Sequence, residues 1–447
     1  MQRIFNIPTT LATLRAQLTH HPEYSILTKP THWDKVCYLL DLLWNNHIYD
    51  RSAKRGQPKQ LCSATLAALM GKRYWLLIQR MLTENGIILA ADSYQVGSFA
   101  KSYQLAEEHQ AAPAFCVFNQ SSKFADKLAH RNELNEQQRY LQQQLQTVTV
   151  RYGEAITHIL AASSPMPLMW LQFDVNDADE INAHFEAVSA HINEHPDRNQ
   201  LMVRFVSIFK LHTRQFFFFV DNKGRRAHTN ITNLPTDLRQ FLVLDGHTDL
   251  LNTDIPASQL VFACIPLIEH YLTIEHGIPR DVARWVELAT SGQAYEQLHE
   301  IIYSRAIADP AERKEFKGRF FQRVYYCQRF LNEGPNAYPE SVAIAKHFPN
   351  VMRFILEIKK DDYKHFAIGM QQRESEMVIN RFGKQAKTWM LPVLTIHDSV
   401  VVPAAWGRNV LQWFTSAFAA LDIKIKMTLE PYTAQALRIH DQQYELF

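Results

Sequence analysis

At 447 residues, with 47% apolar and 21% charged side chains, the chain has the composition of an ordinary globular protein with a large core. Its length calls for two to four domains of about 150 residues each. The net charge of +2 and pI near 8.2 permit nucleic-acid binding without requiring it, because a local patch outweighs the total. No run of about 18 apolar residues is present to cross a membrane, and "MQRIFNIPTTLATLRAQL" lacks the apolar stretch of a signal peptide, so a cytoplasmic protein is expected. The five cysteines, Cys37, Cys62, Cys116, Cys264 and Cys327, show no C-x-x-C or Cys/His spacing. They read as reduced structural thiols, without a zinc site or a disulfide framework.

Residues 1–110 read as one unit. "SATLAALMGKRYWLLIQRMLTENG" holds two helical patterns broken at Gly71, the second stopping at Gly86. "IILAADSYQVGSFAKSYQL" then alternates as two strands around a turn at Gly97. Helix, turn, helix and basic hairpin is the order of a winged helix, with Lys72 and Arg73 on the second helix as nucleic-acid contacts. From about 117 to 165 the pattern is polar, Gln-rich and helical, suited to an extended hairpin or arm. The acidic cluster in "LQFDVNDADE" is best read as a loop and helix cap. Beyond 200 come an aromatic strand with a turn at 221–224 and a basic return strand. An apolar helix follows in "SQLVFACIPLIEHYL", then a basic amphipathic helix after Pro310, and helical segments at 338–360 and 362–382. The chain closes with a β-hairpin in "LPVLTIHDSVVVP", a helix over 404–420 and a last strand in "IKIKMTLEP".

The closing hairpin poses the chemical question. Asp398 falls between two β-branched, apolar strands, where an unpaired carboxylate is costly and needs a partner, a proton or a metal ion. Asp254 lies in "LLNTDIPASQL", again where an apolar run ends and a helix begins. Between them in sequence, Arg313, Lys317, Phe321 and Tyr325 recur every four residues. On a regular helix this set stays on one face, drifting about 40° per step. Such a face would grip a nucleotide, with Arg and Lys on the phosphates and the two rings against sugar and base. Two carboxylates at strand ends would share two Mg²⁺ ions, with Mn²⁺ as the alternative, to activate a 3′-hydroxyl and stabilise the leaving pyrophosphate.

The order of these pieces resembles motifs A, B and C of the family A (DNA polymerase I-like) DNA polymerases. The matching elements are Asp254 with Ser258-Gln259, then R-x₃-K-x₃-F-x₃-Y, then His397-Asp398. "GRRAHTNITNLP" (224–235) resembles the family's primer–template segment, and "QQRESEMVINRF" (371–382) its segment before motif C. The resemblance covers about residues 200–447 and implies an α+β right-hand fold of palm, fingers and thumb behind the winged-helix-like domain. The implied division is 1–110 winged-helix-like, 111–200 helical thumb or arm, 201–264 first palm part, 265–390 fingers and 391–447 second palm part. It further implies that Asp254 and Asp398 are the catalytic metal ligands. Arg313 and Lys317 would bind the incoming triphosphate, Phe321 and Tyr325 would position its sugar and the templating pair, Gln259 would also contact the nucleotide, and His397 would sit near the primer end or the triphosphate. Arg226, His228, Gln372 and Arg373 would touch nucleic acid. The implied partners are a DNA primer–template and nucleoside triphosphates.

The chain departs from that family in motif A, which reads D-I-P-A-S-Q where D-x-S-Q-x-E is usual, and at two later positions. Counted from Asp254, Gln259 stands where a Glu usually helps exclude a ribose 2′-hydroxyl. Tyr326 replaces the Gly after the tyrosine, and Ser399 gives the His-Asp-Ser of single-subunit phage-type RNA polymerases. These departures leave open a primase or RNA polymerase and a template-independent transferase. A non-catalytic DNA-binding replication initiator is the alternative from another class. No proofreading or 5′-nuclease domain is expected, and a compact enzyme of a plasmid, phage, integrated element or defence system is.

Overall fold

The computed structural model describes residues 3–49, 59–91, 101–110, 114–129, 133–161, 172–274 and 277–433. The chain is α+β and helix-rich, with small sheets, and divides into two compact units. One comprises Met1–Glu133, Val150–Phe217 and Leu234–Phe241; the other comprises Leu134–Thr149, Phe218–Asn233 and Leu242–Phe447. Among the described residues no helix is long and apolar enough to cross a membrane.

The first unit is organised on the helix Pro30–Tyr49, which buries Val36, Cys37, Leu39, Leu40 and Trp44. An antiparallel pair, Ile4–Pro8 with Ala114–Phe118, packs on it. Asp34 in this helix is fully buried and is satisfied by the backbone N–H groups of Gln120 and Ser121, at 2.9 and 2.6 Å. The same unit holds the strand Lys59–Gln60, helices Ser63–Met70 and Lys72–Glu84, and strands Ile88–Ala90 and Ser102–Leu105. In this sheet Ser102–Leu105 is central, between Lys59–Gln60 and Ile88–Ala90. Gly71 joins the two helices at φ +88°, a conformation a side chain would strain. Lys72 and Arg73, at the start of the second helix, are exposed. The expected turn at Gly97 lies outside the described residues.

Among the described residues, the polar stretch 117–165, expected as an extended helical hairpin or an arm, comprises helices Ser122–Ala129, Glu136–Gln146 and Tyr152–Leu160, with a strand at Val148–Val150. The β-branched alternation of "TVTV" ends the Gln-rich helix there. Only Leu134–Thr149 of this stretch belongs to the second unit, so the division at 111–200 cuts across the observed one. Its helix starts in a capping box between Asn135 and Gln138 and lies against Gly383–Trp389, where a Cβ on Gly383 would meet Leu141 at 3.6 Å. The acidic cluster forms a loop and cap, Asp177 accepting from the N–H groups of Asp179 and Glu180.

The second unit centres on an antiparallel sheet in the order Leu394–Ile396, Ser399–Pro403, Leu250–Asp254, Thr428–Pro431. Its inner strands carry Val400, Val402, Leu250 and Thr253, all buried. Gly407 opens the helix Gly407–Ala419, which passes so near the sheet that a Cβ there would lie 2.8 Å from Leu251 Cδ1. The apolar helix Ser258–Ile274 runs through the main core with Phe262, Leu267 and Tyr271. Of the expected last strand only Thr428–Pro431 is extended in the sheet. The aromatic hairpin pairs Phe218–Val220 with Ala227–Thr229, its turn held by Asp221 accepting from Lys223 and Gly224 N–H groups.

Candidate active site

Asp254 ends the strand Leu250–Asp254 and is paired in register with Ser399, the residue after Asp398. The Ile255 N–H donates to the Asp398 carbonyl at 3.3 Å. Two carboxylates 144 positions apart in sequence (398 minus 254) therefore sit at the same end of adjacent strands. Both are half-buried. Burial, then the neighbouring charges of Asp398 and Glu430, push the Asp254 carboxyl up to about 7, against the opposing pull of Lys317. A carboxylate raised by a second one beside it is a site short of positive charge, and this donor chemistry fits a hard divalent cation. Among the described residues no group of three or more His, Cys, Asp or Glu forms a ready ligand set. A magnesium site with one or two protein carboxylates, completed by water and substrate phosphates, is the kind these two residues would make.

The cations come from the helix Pro310–Phe320, which opens at Pro310 behind Asp309, whose side chain accepts from the Glu312 N–H. Arg313 and Lys317 both stand over the Tyr295 ring, at 5.2 and 5.4 Å from its centroid. Arg313 also donates to Glu296 at 2.5 Å. Tyr295 is 3% exposed, and burial raises its hydroxyl's pKa, with Arg313 opposing and Asp398, Tyr326 and Asp254 adding to the rise. It thus lies against the cationic helix and within electrostatic reach of the acid pair, and nothing in its spacing marks it.

After Phe320 the helix changes character. Residues Phe321–Tyr325 form a π-helix, closed by Tyr326 N–H donating to Phe321 O at 2.8 Å. The four-residue period therefore fails at its last step. Tyr325 turns into the core, fully buried against Phe320 and Phe366, and its hydroxyl has no partner. Tyr326 instead stacks on Phe321 at 5.6 Å and 20°, with its hydroxyl donating to Gln259 Oε1. Tyr325 thus leaves the face expected for the four-residue set, and Tyr326 takes the exposed side. Tyr325→Phe is accordingly expected to leave stability unchanged or to raise it by up to about 1 kcal/mol, because it removes an unsatisfied hydroxyl. Thermal melting checks this.

A second cluster adjoins the pair. Arg226 of the aromatic hairpin donates to Glu374 at 2.5 Å, and Glu374 is 1% exposed. Burial drives Glu374 up to about 7; Arg226 opposes this, while Asp398 and Asp254 add to it. His397, at the tight turn of the closing hairpin, has φ +54°. It lies 5.7 Å edge-on from His228, which is 3.5 Å from Asp221. Burial first, then Arg226 and His228, hold the His397 imidazole below its usual value, and its Nδ1 is buried without a partner. Gln372 donates to the Lys223 carbonyl at 2.8 Å and Arg373 to Gly369 at 3.3 Å, so both brace the hairpin and their own helix. Lys72 and Arg73 belong to the other unit. Glu374 is not legible in the sequence, because a buried acid within a helix leaves no periodic mark. No protein-family model matches this chain, and no curated protein matches it.

Proposed function

We propose that the chain is a template-directed nucleotidyltransferase of the family A DNA polymerase type, adding nucleotides to a primer 3′-hydroxyl. In this reading the four-stranded sheet is the palm of a right hand and residues 310–326 belong to its fingers. The observation that carries it is the pairing of Asp254 and Asp398 at one end of adjacent strands, with Lys317 acting on Asp254. Magnesium held by these two carboxylates would activate the 3′-hydroxyl and offset charge on the leaving pyrophosphate. Lys317 and Arg313 hold the triphosphate by charge, their side chains kept in place by Tyr295 and Glu296. Phe321 and Tyr326 offer a stacked ring face to the nucleoside. Arg226, with His228 and His397, faces the primer end. The helix, strand, helix, helix and hairpin order of the first unit, with its three-stranded sheet, supports a winged-helix-like contact of Lys72 and Arg73 with duplex DNA.

Gln259 favours one second reading, a polymerase that accepts ribonucleotides. An amide both donates and accepts, whereas a carboxylate at that place only accepts. The test is primer extension on a defined template, with dNTPs and NTPs in parallel and a template-free arm. Templated incorporation is the expected result, and the preferred sugar decides between DNA polymerase and a primase or RNA polymerase. Addition without template marks a terminal transferase. Tight duplex binding with no incorporation marks a DNA-binding initiator and overturns the proposal.

A further inference from the structure

The π-helix that brings Tyr326 to the exposed side leaves its last carbonyls without helical partners. Four side chains answer them: the Cys327 thiol donates to Arg323 O at 3.1 Å, and three buried residues from further along the chain do the rest. Ser341 donates to Arg323 O at 2.8 Å, and Asn332 Nδ2 donates to Val324 O at 3.0 Å. Lys359 Nζ donates to Val324 O at 2.7 Å, Cys327 O at 3.1 Å and Asn332 Oδ1 at 2.6 Å. One ammonium thus ties down carbonyls on both sides of Tyr326. Helices commonly stop on a left-handed glycine; here the stop is made by a cation at the negative end of the helix. Lys359 is 2% exposed, and its partners are carbonyl and amide oxygens together with the Cys327 sulfur at 3.9 Å. Burial pulls it down to about 8, so retaining it there is costly in folding terms.

We infer that Lys359 is a positioning residue for nucleotide selection: by bridging the Val324 and Cys327 carbonyls it fixes the turn that aims Tyr326 at Gln259 and stacks it on Phe321. Lys359 acts through Tyr326 and touches no substrate. The inference rests on the polymerase reading for its functional half only.

The test uses the full chain carrying Lys359→Met, which keeps the stem and removes the donors. Hydrogen exchange of amides 323–328 is expected to quicken about tenfold or more while the Leu250–Asp254 strand is unchanged. In primer extension the nucleotide KM is expected to rise about tenfold with kcat within about twofold, the mark of a lost binding surface. In a Tyr326→Ala background the same substitution should change KM by less than about twofold, because the ring and hydroxyl it positions are both gone. Unchanged exchange at 323–328, or an equal KM effect in both backgrounds, overturns the inference. If Lys359→Met does not fold, Lys359→Gln, which retains one donor, carries the same measurements with smaller expected shifts in the same directions. If the wild-type chain adds no nucleotide, the polymerase reading falls, and the exchange measurement still decides whether Lys359 holds the Tyr326 turn.

Discussion

Asp254→Asn and Asp398→Asn are each expected to lower nucleotide addition at least about a thousandfold while the fold persists. Asparagine matches aspartate in size and keeps one oxygen, so packing at the sheet end is preserved and only charge is removed. The stability consequence has a definite sign. The Asp254 pKa is raised in the folded chain to about 7 from an ordinary 3.8, so the folded state holds a proton that the unfolded state releases. The stabilisation is present below about 4 and is lost as pH rises through about 7. In the absence of divalent ions, Asp254→Asn should therefore melt no lower than wild type at pH 8, and magnesium should stabilise wild type more than the variant. Scanning calorimetry with and without magnesium reads both. Wild-type addition rates in both variants would sink the assignment of these carboxylates.

Arg226→Met is expected to destabilise the chain by about 1 kcal/mol more at pH 8 than at pH 5. Arg226 is the partner of Glu374, a carboxylate with 1% of its surface exposed and two further acids nearby. At pH 5 Glu374, raised to about 7, is protonated in the folded state with or without the guanidinium, so little is lost. At pH 8 the wild-type chain holds an ion pair, whereas the variant must bury a lone charge or take up a proton against the solution. Urea melts at the two pH values give the difference directly. Equal destabilisation at both would show that Arg226 contributes by packing and not by charge.

The two strand-end aspartates were readable because each stood where an apolar, β-branched run stopped, and such runs pair. The stop at Gly71, the start at Pro310 and the turn at Asp221 were readable for the same reason: each is local chemistry with a short reach. Tyr325 lies off the expected face because counting by fours assumes bonds from residue i to i+4, while 321–325 close from i to i+5. Nothing in "FFQRVYYC" announces that change; it is set by side chains from 332, 341 and 359. Tyr295 and Glu374 were missed because a polar group folded inward resembles, in sequence, any other polar group on a helix. The strand Val148–Val150 was not legible within 117–165, because a Gln-rich composition overshadows three branched residues.

The hairpin Leu394–Ile396 to Ser399–Pro403 is joined by His397 and Asp398 alone. So short a connection has no slack. One residue added or removed there would shift the register by a single step and swing every side chain of the following strand to the opposite surface of the sheet. Val400 and Val402 would exchange places with their neighbours, and the acid would no longer end beside its mate. Length variation in this chain should therefore be tolerated almost anywhere on the surface before it is tolerated at this tip.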